Sequence, residues 1–280
     1  MAHRFVFLAD TQLGCFATFS GFDGAAIEDY ALRGLNVRPS PRVEGFAWDA
    51  ERYREAVAAI NRVHPAFVVI GGDLVDDPNA DDQVEAFFAI TATIDDDIPL
   101  HWVPGNHDIA FDYTVPTPAS LTAYRDRFGD DLVSFTFDDT LYLGLNTTVI
   151  DHPHEVPGEW ERQLAWIDDE LATAQRLGVG RVVAIGHHPL FLDAADEPDS
   201  YWNLPRERRS IILDRFAAAG VRIGFSGHWH RNHLGTADGF TQVISGPVGY
   251  PLGDDPSGYR LVDVGAGGVE HAYHPLEPLT

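Results

Sequence analysis

One turn of the sequence reads Val103-Pro104-Gly105-Asn106-His107-Asp108 and follows directly on a short apolar run, Leu100–Val103. It places an amide oxygen, an imidazole and a carboxylate at the end of a predicted strand, where open α/β sheets build their ligand sites. These groups suit a metal-bound phosphate better than a protein core. Taken alone, the tetrapeptide Gly105–Asp108 is equally typical of an ordinary loop, so its meaning depends on how other strands end.

Four further apolar runs end in a comparable way, each with a carboxylate, amide or imidazole and a glycine nearby. They end at Asp10-Thr11-Gln12, at Gly72-Asp73-Leu74-Val75-Asp76, at Gly186-His187-His188-Pro189, and at Ser226-Gly227-His228-Trp229-His230. Considered singly, Asp10 and Asp73 are common turn formers, and His228 and His230 are compatible with buried, hydrogen-bonded imidazoles. Independent accidents would not place such donors at five strand ends, so together they predict a metal site.

The alternation of apolar runs with amphipathic segments predicts an α/β sheet core in one domain, residues 1–280, without a linker or repeat. The predicted strands are Phe5–Ala9, Phe67–Gly71, Leu100–Val103, Val133–Phe137, Leu141–Leu145, Val182–Ile185, Arg222–Phe225, Gln242–Ile244 and Tyr259–Val264. Consecutive strands at 133–145 and 242–273 predict antiparallel hairpin extensions. Helices are predicted after Asp49, as a helix N-cap, and at Asp82–Thr93, Ser120–Phe128, Gly158–Arg176 and Arg206–Ala218.

Composition narrows the possible functions. The formal net charge is −24, from 43 acidic and 19 basic residues, and the chain contains no Lys. This charge repels polyanions, so nucleic acid is not an expected partner, and Schiff-base or P-loop lysine chemistry is excluded. No apolar run reaches the ~18 residues of a membrane span. A polar start and a single cysteine, Cys15, lead us to expect a cytoplasmic protein without intrachain disulfides.

The donors at the strand ends favour a particular metal chemistry. Two carboxylates, two amides and three imidazoles, with no thiolate, suit Mn²⁺, Fe, Zn²⁺ or Mg²⁺. Seven donors are too many for one tetrahedral ion, but they suit two divalent ions about 3.5–4 Å apart that share a carboxylate. The candidate ligands are Asp10, Gln12, Asp73, Asn106, His187, His228 and His230.

In order and spacing, these motifs resemble those of the calcineurin-like metallophosphoesterases: D-x-H, G-D-x-x-D, G-N-H-D, H and G-H-x-H. The resemblance implies a four-layer αββα sandwich with two mixed sheets. It implies that Asp73 bridges two metals, with the remaining ligands divided between them. Asp10, Gln12 and His230 would complete one site, and Asn106, His187 and His228 the other. His188, next to a ligand, would line the site or pack behind it.

Gln12 departs from the general pattern, which has histidine at this position. A Gln carbonyl oxygen is a harder donor than imidazole, so the metal identity is open, and Gln12 could instead contact a metal-bound water. The same departure, together with Tyr201-Trp202-Asn203-Leu204, makes the chain similar to one branch of the family. That branch is the calcineurin-like phosphoesterase domain-containing protein 1 group, whose animal member is described as a serine/threonine protein phosphatase.

Two-metal chemistry predicts attack on phosphorus by a hydroxide that bridges the metals. His107 is the expected general acid for the leaving group, and Asp76 is expected to orient it and keep it protonated. Asp108 is an alternative for that supporting role, or it caps the turn.

Substrate choice is harder to predict. Residues 14–46, which show no helix or strand pattern, and residues 192–204 are expected to be substrate-selecting loops, or solvated loops without such a role. Arg231 and Asn232 are candidates for phosphate contacts or for surface roles. We expect a phosphomonoesterase with phosphorylated substrates, phosphoserine or phosphothreonine in proteins among them. The alternatives are a phosphodiesterase for cyclic nucleotides or other small diesters, and a non-catalytic scaffold.

Overall fold

The computed structural model describes residues 2–111 and 115–277. The strands in these ranges are β1 His3–Leu8, β2 Phe67–Ile70, β3 Leu100–Trp102, β4 Val133–Phe137, β5 Thr140–Gly144, β6 Arg181–Ile185, β7 Ile223–Ser226, β8 His233–Ala237, β9 Phe240–Ile244, β10 Gly258–Gly265 and β11 Gly268–Pro275. Nine of them agree with the predicted strands to within a few residues, whereas β8 and β11 were not predicted as separate strands; most of β11 lies in the hairpin extension predicted over residues 242–273. The pentapeptide of β8 contains Gly235 and the exposed Leu234, so it lacks a clear apolar alternation.

The α-helices of the same ranges are α1 Cys15–Thr18, α2 Gly24–Leu32, α3 Ala47–Val63, α4 Asp81–Thr91, α5 Asn106–Ile109, α6 Pro118–Phe128, α7 Thr147–Asp151, α8 Glu159–Leu177 and α9 Arg206–Ala219. A short 3-10 helix covers Pro153–Glu155. None of the helices in the described ranges has the length and apolar character needed to cross a membrane.

The strands form two mixed sheets. The first has the order β11-β10-β1-β2-β3, in which β1, β2 and β3 are parallel and β10 is antiparallel to β1. The second has the order β4-β5-β6-β7-β9-β8, with parallel pairing from β5 to β9. The parallel strands carry the polar motifs at their carboxyl ends, so the sheets bring distant parts of the chain together.

Alternate side chains of β1 face two different cores. Phe5 contacts Phe225 of the second sheet, with ring centroids 5.9 Å apart, in an apolar cluster between the sheets. Val6 and Leu8 pack in another cluster, together with Tyr53 of α3. Because both faces of the strand are covered, its sequence is a continuous apolar run rather than an alternating one.

A third cluster packs α8 and α9 against the second sheet, through residues such as Ile167 and Ile212. The order of layers is therefore helices, sheet, sheet, helices. This confirms the expected αββα sandwich with two mixed sheets.

The prediction that Asp49 caps a helix is wrong. The helix α3 begins at Ala47, and Phe46 occupies the cap position. Asp49 is fully buried, and its carboxylate accepts hydrogen bonds from the backbone N–H groups of Gly14 (3.1 Å) and Phe16 (3.3 Å). Its polar side chain therefore serves a long-range contact that a local pattern does not reveal.

Residues 14–46 are also more regular than the sequence predicts, because they contain α1 and α2. Asp23 begins α2 by accepting a hydrogen bond from the backbone N–H of Ala26 at 2.9 Å. Apolar side chains of the segment, Leu35 and Val37 among them, pack around Tyr250. The segment is thus partly a packed layer rather than a free loop. Its helices are hard to predict because α1 has only four residues and α2 has no fully buried residue that would give an apolar face.

We expect Asp49→Asn to reduce the pH dependence of stability between about pH 5 and 9. Burial raises the pKa of Asp49 from 3.8 to about 8. The folded chain then holds this proton more tightly than the unfolded chain, so the stability is full below the unfolded pKa and is lost as pH rises through the folded one. Denaturant titrations at both pH values should show the wild type losing on the order of 4 kcal/mol more than the variant.

The matched control is Asp169→Asn, at an exposed position of α8. It should keep the wild-type pH dependence. Equal pH slopes for Asp49→Asn and the wild type would contradict the assignment of this effect to Asp49.

Candidate metal centre

The turns that follow β1, β2, β3, β6 and β7 meet at one edge of the two sheets. The backbone N–H groups of Asp10 and Gln12 donate to the carbonyl groups of residues 72 and 73, at 3.2 and 2.8 Å. The N–H of Gly227 donates to the carbonyl of His187 at 3.0 Å. Main-chain hydrogen bonds therefore hold these turns beside one another.

Two groups of buried ligand atoms share Asp73. The potential ligand atoms of Asp73, His187 and His228 lie within 4.8 Å of one another, and so do those of Asp10, Asp73 and His230. His187 Nε2 is 3.1 Å from Asp73 Oδ2, and His230 Nε2 is 3.4 Å from Asp10 Oδ1. A carboxylate common to two adjacent groups is what a ligand bridging two metal ions requires.

Backbone carbonyls set the orientation of the three imidazoles. Nδ1 of His187 donates to the carbonyl of Gly71 at 2.9 Å, and Nδ1 of His230 donates to that of Tyr250 at 2.6 Å. Nε2 of His228 donates to the carbonyl of Tyr201 at 2.8 Å. A carbonyl oxygen accepts only, so each of these nitrogens carries a proton. The other nitrogen of each neutral ring then has the lone pair that a metal needs.

The charges of the cluster are strongly coupled. Burial lowers the pKa of His187, but the neighbouring Asp73 and Asp10 outweigh burial and raise it above its ordinary value. Burial and the nearby His187 lower the pKa of His228 to about 3. Burial would raise the pKa of Asp73, yet the surrounding imidazoles, led by His187, hold it below its usual range. Metal binding would therefore compete with the proton of His187.

Several potential metal-binding atoms converge here. Nε2 of His187 lies 3.1 Å from both Asn106 Oδ1 and Asp73 Oδ2, so a metal ion at this point would take the place of the proton that the ring otherwise holds. Gln12 Oε1 is buried and accepts no hydrogen bond in the described part of the chain. A buried acceptor without a donor costs roughly 1–3 kcal/mol, and a cation supplies the missing partner. The donor set therefore fits a metal.

Glycines of the motifs make room for the carboxylates. A Cβ at Gly105 would lie 2.0 Å from Asp73 Oδ1, and a Cβ at Gly227 would lie 2.4 Å from Asp10 Oδ2. Any larger residue at these positions would displace a candidate ligand. Gly72 is needed for its left-handed backbone as well, because its φ is +87°.

The turns hold five candidate ligands in left-handed backbone conformations. These are Asp10 (φ 49°), Gln12 (φ 32°), Asp73 (φ 51°), His228 (φ 67°) and His230 (φ 51°). Such conformations cost of order 1 kcal/mol or more for residues other than glycine, and they cluster at functional sites. All five residues lie in the turns that follow β1, β2 and β7, so the strained backbone is confined to the turns that carry the candidate ligands.

His107 lies beside the cluster. Its backbone N–H donates to Asp73 Oδ1 at 2.9 Å, and its Nδ1 is 2.8 Å from the carbonyl oxygen of Asp76. The Asp76 carboxylate is 3.4 Å from the same nitrogen and accepts a hydrogen bond from Gln12 Nε2 at 3.0 Å. Asp76 therefore contacts His107 as expected, but the main-chain oxygen makes the shorter contact. Its carboxylate also holds the amide of Gln12.

Asp108 supports the turns without entering the cluster. Its two carboxylate oxygens accept from the backbone N–H groups of Leu74 and Gly105, both at 2.8 Å. His188 also stands outside the two ligand groups of the described residues. Its Nδ1 is 2.9 Å from Thr147 Oγ1, and its ring centroid is 4.2 Å from that of His228. It therefore packs behind a candidate ligand, which is one of the two roles expected for it.

Arg231 and Asn232 are engaged in holding segments together. The guanidinium of Arg231 donates to the carbonyls of Gly34 (2.5 Å) and Leu252 (3.0 Å). Asn232 Nδ2 donates to Asp255 Oδ2 at 3.0 Å, and its Oδ1 accepts from the backbone N–H of Gly246. Both side chains thus make contacts within the protein, a role that neither of the two expectations, a contact with phosphate or a surface role, describes.

The residues that orient the imidazoles have no sequence signal. Gly71, Tyr201 and Tyr250 act through backbone carbonyls, which every residue type possesses. Thr147, whose hydroxyl contacts His188 and accepts from its backbone N–H at 2.9 Å, resembles any other buried threonine. Only the folded chain shows that these groups surround the cluster.

Two mixed sheets with a carboxylate–imidazole cluster at the ends of their parallel strands define the class of protein, a metal-dependent phosphoesterase. A family model described as calcineurin-like phosphoesterase matches residues 3–232. The chain belongs to the calcineurin-like phosphoesterase family. The predicted family and enzyme class are thereby confirmed.

Named relatives narrow the likeness to one branch. The serine/threonine-protein phosphatase CPPED1 of Homo sapiens is 36% identical over 245 residues, which cover 84% of this chain and 77% of that protein. The Danio rerio protein of the same name is 37% identical over 244 residues, covering 84% of this chain and 78% of that protein. This confirms the predicted resemblance to the branch.

Among solved structures, a dimetal phosphatase from Danio rerio superposes with a TM-score of 0.62 at 17% identity, covering 98% of this chain and 99% of that one. A purple acid phosphatase from yellow lupin gives a TM-score of 0.62 at 14% identity, covering 98% of this chain and 52% of that one. At these identities the likeness concerns the fold.

We expect Asp73→Asn to remove most bound metal, because Asp73 is the one carboxylate shared by both ligand groups in the described residues. The wild type should bind two divalent ions per chain and the variant fewer than one, with hydrolytic activity reduced more than ~100-fold. Metal per chain is measured by elemental analysis after dialysis against Mn²⁺ or Zn²⁺. The control is Asp168→Asn, an exposed residue of α8. Retention of both ions by Asp73→Asn would contradict a bridging role.

Proposed function

We propose that the protein is a phosphomonoesterase that uses two divalent ions, Mn²⁺, Fe, Zn²⁺ or Mg²⁺, and acts on phosphoserine or phosphothreonine in proteins. The observation that carries this proposal is the pair of buried ligand groups that share Asp73. The CPPED1 relatives, which are serine/threonine-protein phosphatases by name, support the choice of substrate.

Each ligand group would hold one ion. Asp73 would contribute to both, Asn106 would join His187 and His228 at one, and the remaining residues, Asp10, Gln12 and His230, would form the other. When bound, two such ions supply the positive charge that neutralises a phosphate dianion and activate the attacking water.

The overall charge of −24 does not prevent phosphate binding. Charges beyond about 8–10 Å are largely screened at physiological ionic strength, whereas charges in a buried cluster act at short range. Around the two buried carboxylates of the ligand cluster, Asp10 and Asp73, the chain places four buried side chains of neutral or cationic type: Asn106, His187, His228 and His230. Local charge, rather than net charge, therefore governs affinity for the substrate.

His107 would protonate the leaving oxygen. Nδ1 is engaged by the Asp76 carbonyl at 2.8 Å, so Nε2 is the ring nitrogen that would carry the transferable proton. The backbone N–H of His107 donates to Asp73 Oδ1 at 2.9 Å, which anchors the main chain of His107 to the shared ligand. The main-chain bond and the Nδ1 contact together would keep the proton donor beside the cluster, as general acid catalysis requires.

A comparison of a monoester and a diester tests the proposed function. With Mn²⁺ bound, we expect turnover of 4-nitrophenyl phosphate to exceed that of bis(4-nitrophenyl) phosphate by at least ~10-fold in kcat/KM, and phosphoserine peptides to be hydrolysed. A probable cyclic nucleotide phosphodiesterase from Moraxella catarrhalis is 21% identical over 253 residues, covering 82% of this chain and 86% of that protein. A preference of ~10-fold or more for bis(4-nitrophenyl) phosphate would favour the phosphodiesterase alternative and contradict the proposed monoesterase function.

Replacing the proton donor should harm poor leaving groups most. We expect His107→Asn to lower kcat about 10²–10⁴-fold for an alkyl phosphate, which needs a proton on its leaving oxygen, and much less for 4-nitrophenyl phosphate. The control is His64→Asn, because His64 is exposed, has a φ of 50° that Asn tolerates, and lies before the amino end of β2, whereas the cluster follows its carboxyl end. An equal loss for both substrates would show that His107 does not act as the acid.

A further inference from the structure

The carboxylate of Asp76 contacts Gln12 and His107 unequally. Its Oδ1 accepts a hydrogen bond from Nε2 of Gln12 at 3.0 Å. The same oxygen is 3.4 Å from Nδ1 of His107, which is longer than an ordinary N–H···O hydrogen bond. The main-chain carbonyl oxygen of Asp76 is closer to that nitrogen, at 2.8 Å. The carboxylate therefore makes its better hydrogen bond with Gln12, and the carbonyl makes the one with His107.

This contact decides which way the amide of Gln12 faces. An ionised carboxylate only accepts hydrogen bonds, so Asp76 binds the amide NH₂ group and repels the amide oxygen. In the planar amide, the oxygen Oε1 is then turned away from Asp76. It is buried and accepts no hydrogen bond within residues 2–111 and 115–277. Such an oxygen, two residues after Asp10 in the same turn, is available to a cation.

The main chain at Asp76 is fixed independently of its carboxylate. The backbone N–H of Asp76 donates to the carbonyl of Leu13 at 3.1 Å and to Oε1 of Gln83 at 3.2 Å. The backbone N–H of Asp77 donates to the same oxygen of Gln83 at 2.9 Å. The carbonyl that contacts His107 is therefore expected to stay in place when the carboxylate is altered.

We propose that the carboxylate of Asp76 is a positioning group for metal binding, which holds the oxygen of Gln12 towards the ion that Asp10 and His230 would also bind. This role differs from the support of His107 that the sequence predicts for the carboxylate. The inference rests on the ligand set of the proposed function, in which Gln12 belongs to one of the two metal sites. Residue 76 then serves the metal site through its carboxylate and His107 through its carbonyl.

Asp76→Asn tests this inference, because an asparagine amide donates as well as accepts. The amide of Gln12 is then free to turn over, which places its NH₂ group instead of its oxygen towards the ion. We expect one of the two Mn²⁺ ions to bind about 10–100-fold more weakly, as is usual when a group that orients a metal ligand is lost. Equilibrium dialysis against graded Mn²⁺, followed by elemental analysis, measures the occupancy. The control, Asp77→Asn, removes the same charge from the next residue, whose carboxylate accepts from the backbone N–H of Asn79, and should keep wild-type occupancy.

A double variant distinguishes this role from general structural damage. In Gln12→Glu/Asp76→Asn, the total charge is that of the wild type, and the amide at position 76 donates to a carboxylate at position 12. Both outer atoms of that carboxylate are oxygens, so one of them faces the ion whichever way the group is turned. We expect the double variant to regain the second ion, with an affinity no more than about threefold below that of the wild type.

The leaving-group dependence supplies a second measurement. At saturating Mn²⁺, Asp76→Asn should keep the ratio of kcat for an alkyl phosphate to kcat for 4-nitrophenyl phosphate within about threefold of the wild-type ratio, because the carbonyl that contacts His107 remains. Unchanged Mn²⁺ occupancy in Asp76→Asn, no recovery in the double variant, or a selective loss with the alkyl phosphate would overturn the inference. If the wild type bound two ions, and Asp76→Asn lost one, but the wild type hydrolysed no monoester, the proposed function would fail while this inference stood.

Discussion

The buried carboxylate of Asp73 is the feature on which the rest of the centre depends. Its side chain is 2% exposed, and it contacts the His187 imidazole and the backbone N–H of His107. Removing an ionised carboxylate from water is costly unless nearby groups compensate it. The imidazoles provide that compensation, and they hold the pKa of Asp73 below its usual range. Gly105 has no Cβ where Asp73 Oδ1 needs the space.

The surrounding layers hold a strained centre in place. Five candidate ligands have positive φ, and the hydrogen bonds between turns keep them there. Asp108 contributes by joining the backbone at Leu74 to that at Gly105. Two sheets packed face to face, with helices outside, make these turns the ends of well-buried strands. The fold therefore bears the strain that orients the ligands, as is common where activity requires a set geometry.

Gln12 is hydrogen-bonded to Asp76, which in turn contacts His107, the expected proton donor. Its amide nitrogen donates to Asp76 Oδ1 at 3.0 Å, while its oxygen is buried without a donor in the described residues. Asp76 in turn accepts from His107 through its carbonyl. A histidine, which the general family pattern has here, could not present an amide oxygen and an amide N–H from one planar group. The residue that departs from the pattern thus adds a second connection to the expected proton donor, beside the direct bond between Asp73 and His107.

Local sequence patterns were sufficient to predict the family, the fold class and the positions of most strands. Apolar runs that end in Asp, Asn or His are short-range features, and the turns at Asp10, Asp73, Asn106, His187 and His228 were recognisable from the sequence.

Other features depend on partners far along the chain. The helices of residues 14–46, the contact of Asp49 with Gly14, and the carbonyls that orient the imidazoles follow from packing. Tyr201 contacts His228 only because the fold brings residues 192–204 beside the turn that follows β7. Which nitrogen of each imidazole faces the centre is therefore a property of the tertiary structure, since a backbone carbonyl has no side-chain identity that a sequence pattern could reveal.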